Sequence, residues 1–134
     1  MNKERLLKLA DHLEHGKLGH KVFDFGVYNL RKDEGAPAKG RCGYMGCAIG
    51  ECPIVWPEHW QFGPAPVLWG YRWTLESGIA WFDITADEFS HLFLPHGQYP
   101  EDYGGTELGI DATKEQVAAN IRAFVAHKEK QDNG

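Results

Sequence analysis

Residues 40–53, which read Gly-Arg-Cys-Gly-Tyr-Met-Gly-Cys-Ala-Ile-Gly-Glu-Cys-Pro, constrain the fold more than any other stretch, because they hold all three cysteines and four glycines. If residues 44–51 are helical, four small residues share one face: Gly43, Gly46, Cys47 and Gly50. Such a face lets another backbone approach closely, and that packing must offset about 1 kcal/mol per glycine relative to alanine. Pro53 is predicted to end the segment, because it lacks an N–H.

The cysteines, Cys42, Cys47 and Cys52, lie five residues apart. Five helical residues rise about 7.5 Å and rotate the side chain by about 140°, so on one continuous helix no two cysteines could form a disulfide or share a metal. Only if Cys42 lies in the preceding loop could it reach Cys47. We favour buried, reduced, structural thiols. One alternative is a small zinc-stabilised domain with these three cysteines and His59 as ligands.

A second alternative is an enzyme. A thiolate is favoured at a helix N-terminus, where Cys42 or Cys47 could act as the nucleophile of a hydrolase or transferase. The base would be a histidine from elsewhere in the chain, and His91 is the candidate. The leading prediction assigns no catalytic residue, no metal and no cofactor.

Residues 3–15 are predicted to form the first helix. Its apolar residues repeat with helical spacing along one stripe: Leu6, Leu9, Ala10 and Leu13. Asn2 can cap the helix and Gly16 can end it. His12 and His15 are predicted to be solvated residues near the C-terminal end, where positive charge is favourable.

The middle of the chain, residues 53–73, combines four prolines with large aromatic side chains. Buried, these rings would complete the core, and we favour burial because large exposed apolar patches are uncommon on soluble proteins. Exposed, they would form a recognition surface. The candidate contact residues are Trp56, Trp60, Trp69, Tyr71 and Trp73. Residues 67–73 could also form a short strand that pairs with another near residue 25.

Two capping boxes give the clearest helix signals. In Thr85-Ala86-Asp87-Glu88 the threonine accepts from the N–H of residue 88 and Glu88 reaches back, with Ile84 and Phe89 as a hydrophobic staple. Pro95 is predicted to stop this helix. Thr113-Lys114-Glu115-Gln116 starts another, which is predicted to run to about residue 128. Residues 79–82 are predicted to add a short turn, 95–112 a surface loop with His91 and His96 exposed at its start, and 131–134 a frayed tail.

The 134 residues predict a single domain over 1–134. The net charge of -5 and the lack of a basic run argue against direct nucleic-acid binding. No apolar run reaches the length of a membrane span. An odd number of cysteines without a signal peptide predicts a reducing cytoplasm.

The chain resembles a family of small, uncharacterised bacterial and phage proteins. Their pattern is Cys-Gly-x-x-x-Cys-x-x-Gly followed by two threonine-capped helices, the first ending in Leu-Phe. Here it is carried by Cys42 to Gly50, Ile84 to Phe93, and Thr113 to Val125. Tyr44 and Glu51 depart from it, since a threonine and an aromatic residue are common there. The resemblance implies an accessory protein of a phage or mobile element, and no assigned activity.

Together these observations predict a mainly α fold of about four helices with an irregular, aromatic and proline-rich middle. The alternative is an α+β fold with a two- or three-stranded sheet. The predicted function is non-enzymatic binding of another protein, with residues 56–73 as the contact region.

Overall fold

The computed structural model describes residues 1–16, 22–23, 45–46, 48–61, 66–94, 103–105, 108 and 112–133. Its α-helices are α1 (Lys3–His15), α2 (Cys52–Val55), α3 (Thr74–Phe82), α4 (Ala86–Phe93) and α5 (Lys114–Asn133). Its strands are β1 (Val22–Phe23), β2 (Met45–Gly46), β3 (Trp60–Gln61) and β4 (Val67–Leu68). The predicted mainly helical fold is confirmed. None of the helices in the described ranges is long and apolar enough to cross a bilayer.

Helices α1 and α5 pack against each other and supply much of the core. The predicted stripe of α1 is confirmed, since Leu6, Leu9, Ala10 and Leu13 are all fully buried. The facing side chains of α5 are Val117, Ala118, Ile121, Phe124 and Val125. Two ion pairs, Lys3 with Glu129 and Arg122 with Glu14, join the rims of the two helices.

The predicted helix caps are confirmed by their hydrogen bonds. The N–H of Arg5 donates to Oδ1 of Asn2 over 3.1 Å at the start of α1. At the start of α4 the Glu88 N–H donates to Oγ1 of Thr85 over 3.1 Å, and the Thr85 N–H donates to Oε1 of Glu88 over 2.8 Å. The same reciprocal pair links Thr113 and Gln116 before α5. Helix α5 continues to Asn133, through most of the tail that was predicted to be frayed.

The helix considered for residues 44–51 is not formed at the described positions in that range. Met45–Gly46 forms β2, which pairs in parallel with β1, and Ile49–Glu51 forms a 3₁₀ turn that leads into α2. Pro53 does not end this helix but lies in its first turn, where the missing N–H has no partner to lose. The predicted strand near residue 67 is present as β4. It pairs antiparallel with β3, while β1 pairs with β2.

Helix α3 is longer than the short turn predicted over 79–82, because it begins at Thr74. Because Ser77 and Gly78 are poor helix formers, the sequence pattern did not predict the first half of this helix. Packing explains the glycine. A Cβ atom on Gly78 would lie 2.2 Å from a ring carbon of Phe89, which is fully buried in α4.

Replacing Gly78 with alanine should therefore lower the free energy of unfolding, by about 2 kcal/mol, because the buried Phe89 ring cannot move away without overpacking the core. Urea unfolding monitored by circular dichroism measures the change. In the same helix, Ala80→Gly at an exposed position reports backbone propensity alone and should lower the free energy of unfolding by about 1 kcal/mol. A more stable Gly78→Ala variant would contradict the close α3–α4 contact.

Candidate binding surface

Four large apolar side chains project into solvent at alternate positions just after β4. Trp69 is 64% exposed, Tyr71 41%, Trp73 63% and Leu75 40%. We call these four residues the aromatic surface. Between residues 69 and 76 only Thr74 is buried, so the exposed side chains form one continuous stretch of chain.

The β3–β4 hairpin sets which rings turn outwards. Trp60 lies opposite Leu68 in the register, and both are buried. Successive side chains of a strand point to opposite faces, so the neighbouring pair, His59 and Trp69, falls on the outer face. Both are exposed, and the Trp69 N–H donates to the His59 carbonyl over 3.0 Å. Although it is exposed, the His59 ring packs against Trp81, with the two ring centroids 5.0 Å apart.

A tight turn continues this arrangement beyond β4. The Tyr71 N–H donates to the Leu68 carbonyl over 3.0 Å, which closes a β-turn over residues 68–71. Gly70 has φ 91°, a conformation that side chains strongly disfavour, and a Cβ there would meet no other atom. The glycine is thus required for backbone direction and not for space. It places Trp69 and Tyr71 on either side of the turn.

Two buried hydroxyl groups hold the same segment from beneath. Oγ1 of Thr74 donates to the Pro66 carbonyl over 2.8 Å. Oγ of Ser77 donates to the Trp73 carbonyl over 2.8 Å and accepts from the Leu68 N–H over 3.0 Å. The backbone that carries the exposed rings is therefore fixed before any partner arrives, which reduces the ordering cost of binding.

Trp56 and Trp60, two of the five candidate contact residues, are not part of this surface. They are 9% and 1% exposed. Their rings meet Trp81 edge-on, with centroids 5.4 Å and 6.4 Å away. The Arg5 guanidinium covers the Trp81 ring from 3.5 Å and donates to the Trp81 carbonyl. These tryptophans complete the core, as the burial interpretation predicted. For Trp69, Tyr71 and Trp73 the same prediction is wrong, since all three are exposed.

Of the four ligands considered for a zinc site, the structure describes two. Cys52 is fully buried at the start of α2, while His59 is exposed on the hairpin. Cys42 and Cys47 lie outside the described residues. Among the residues that are described, no group of three or more histidine, cysteine or acidic side chains is arranged to hold a metal ion.

His91, predicted to lie on the surface and considered as a catalytic base, is buried. Its Nε2–H donates to the Gly104 carbonyl over 2.9 Å, and its ring packs against Tyr103. Its Nδ1 has no hydrogen-bond partner, so no thiol in the described ranges is paired with it. His96 lies outside those ranges. Burial lowers the pKa of His91 below the ordinary 6.5, against the opposing effect of the Gly104 carbonyl.

This lowered pKa predicts a pH dependence of stability. The unfolded chain takes up a proton at His91 as the pH falls through about 6.5, while the folded chain does so only at lower pH. Stability should therefore fall between about pH 7.5 and pH 5.5. Urea unfolding across this range should show a shallower dependence for His91→Gln. Parallel curves for the two proteins would contradict the assignment.

Two contacts made by buried carboxyl groups were not predicted from the sequence. The Nε2–H of His12 donates to Oε1 of Glu51 over 2.9 Å, and Glu51 is fully buried. Glu88 pairs with Lys128 over 2.8 Å, linking α4 to α5. Burial alone would raise the pKa of Glu88, but hydrogen bonds from Lys128 and Thr85 outweigh it and lower the pKa. The sequence contained a signal that His12 packs against the core, because it lies three residues after Leu9 on the apolar side of α1.

Comparison with known proteins identifies no relative: no protein-family model, curated protein or solved structure matches this chain.

Proposed function

We propose that this protein is a non-enzymatic binding protein that engages another protein through the aromatic surface. The observation that carries the proposal is the set of large side chains held in water on a fixed backbone. With about 150–250 Å² per aromatic ring, the exposed fractions of Trp69, Tyr71 and Trp73 amount to roughly 300–400 Å². Apolar patches of that size on a monomer are often functional.

The composition of the surface supports recognition. Tryptophan and tyrosine dominate the binding energy of protein interfaces, because they bury a large area with few rotatable bonds and still carry a polar group. Exposed tryptophan also lowers solubility, so two of them within five residues need a reason other than folding. Location in the cytoplasm, and an origin in a phage or mobile element, remain predictions from the sequence.

Affinity capture from the native host tests the proposal, with the wild-type protein compared with the double variant Trp69→Ala/Trp73→Ala. Quantitative mass spectrometry should find a protein that the wild type retains and the variant loses. The control is Glu4→Ala/Asp11→Ala, which alters two exposed side chains of α1 and should retain the partner. If all three proteins retain the same set, the aromatic surface is not the binding site.

A further inference from the structure

We propose that the segment bound by the aromatic surface is an extended, proline-rich peptide in the polyproline II conformation. This inference rests on the proposed function and adds the chemical class of the ligand. Three observations carry it: the size of the surface, the hydrogen-bonding character of its side chains, and the closed edge of β4.

The size of the surface favours a short segment over a second globular surface. A stable interface between two folded proteins buries about 800 Å² on each partner. The exposed rings supply roughly 300–400 Å², about half of that area. The rings therefore supply too little area to hold a second folded copy of this chain, whereas a few residues of extended peptide would cover them.

The polar groups of the surface are mainly donors. Trp69 and Trp73 each carry an indole N–H, which can only donate, and the neighbouring Arg72 carries a guanidinium. These side chains are exposed, and across the described ranges none of the three makes a hydrogen bond through its side chain. A ligand that fits them must offer acceptors.

A proline-rich segment meets this requirement. Proline has no N–H, and polyproline II makes no internal hydrogen bonds, so its carbonyl groups are available to accept. An α-helix uses its carbonyls internally and would leave the indole N–H groups without acceptors. Proline rings also pack on aromatic faces, and the conformation is formed before binding, so little entropy is lost.

The edge of β4 argues against the other extended ligand, an added β-strand. Strand addition needs open backbone donors and acceptors on a sheet edge. On β4 the Leu68 N–H is already bonded to Ser77, and the preceding carbonyl of Pro66 accepts from Thr74. The ligand must therefore bind through the side chains, as polyproline II ligands do.

Nuclear magnetic resonance of the indole N–H signals tests the inference with decaproline as the probe. The chain has five tryptophans and so five such signals, which single Trp→Phe variants assign. Decaproline at about 1 mM should shift the signals of Trp69 and Trp73 in a saturable way and leave those of Trp56, Trp60 and Trp81 unchanged. The Tyr71→Ala variant should bind it at least about tenfold more weakly, and Glu4→Ala should bind it normally.

The inference would be overturned if decaproline shifts no signal or shifts all five equally. It would also be overturned if Trp69 and Trp73 respond to cellohexaose or phosphatidylcholine vesicles but not to decaproline. Shifts that appear on concentrating the protein alone would indicate a second copy and would also overturn it. If decaproline fails but Trp69→Ala/Trp73→Ala still loses its captured partner, the proposed function stands and only the ligand class is wrong.

Discussion

Replacing Trp60 with alanine should lower the free energy of unfolding by about 4 kcal/mol, because it removes a fully enclosed ring and leaves a cavity. Replacing Trp69 should change it by less than about 0.5 kcal/mol, because that side chain is mostly in water. The two residues are the same type and lie nine positions apart in the same hairpin. Their different outcomes follow only from the face of the hairpin on which each lies.

Urea denaturation followed by far-ultraviolet circular dichroism measures both changes without relying on tryptophan fluorescence. Iodide quenching of the wild type should affect Trp69 and Trp73 and spare Trp60. Equal destabilisation by the two alanine variants would show that Trp69 is part of the core, which would contradict its role in the aromatic surface. If Trp60→Ala fails to fold at all, Trp60→Phe should still show a measurable loss.

The second large effect concerns the buried pair between α1 and the 3₁₀ turn. His12→Ala should lower the free energy of unfolding by about 2 kcal/mol, because the fully buried Glu51 carboxyl loses a hydrogen-bond donor 2.9 Å away. The matched control is His15→Ala on the same helix. Its side chain is 69% exposed, so it should have an effect of less than about 0.5 kcal/mol.

Thermal and urea unfolding at neutral pH measure the difference between these two histidine variants. The double variant His12→Leu/Glu51→Leu supplies a further check. Replacing both partners with apolar groups removes the buried carboxyl together with its donor, so it should recover part of the stability that His12→Ala loses. Similar stability of His12→Ala and His15→Ala would contradict a structural role for the pair.

The sequence predicted the helices whose N-termini are capped by a nearby side chain. Asn2, Thr85 and Thr113 each cap a helix through bonds that span three residues, so a short window of sequence contains the whole signal. Helix α3 has no side-chain cap, since Trp73 is its first flanking residue, and its Gly78 reflects a contact with α4. That contact lies outside any local pattern, which is why most of α3 was missed.

The candidate site could be predicted only as a region. The sequence identified the aromatic stretch, but separating Trp60 from Trp69 required the register of β3 on β4. A shift of one residue in that register would exchange the buried and exposed faces. The hydroxyl groups of Thr74 and Ser77, which fix the segment, gave no signal because their partners lie four to nine residues away in irregular chain.

The side-chain bonds from Thr74 and Ser77 also bear on how the protein behaves at high concentration. Exposed aromatic residues beside an open strand invite chains to stack into β-aggregates. Here the strand next to the rings has its hydrogen-bonding groups occupied from within the same molecule. The outer edge of β4 can thus lie beside exposed aromatic side chains without offering neighbouring chains a template for fibril growth.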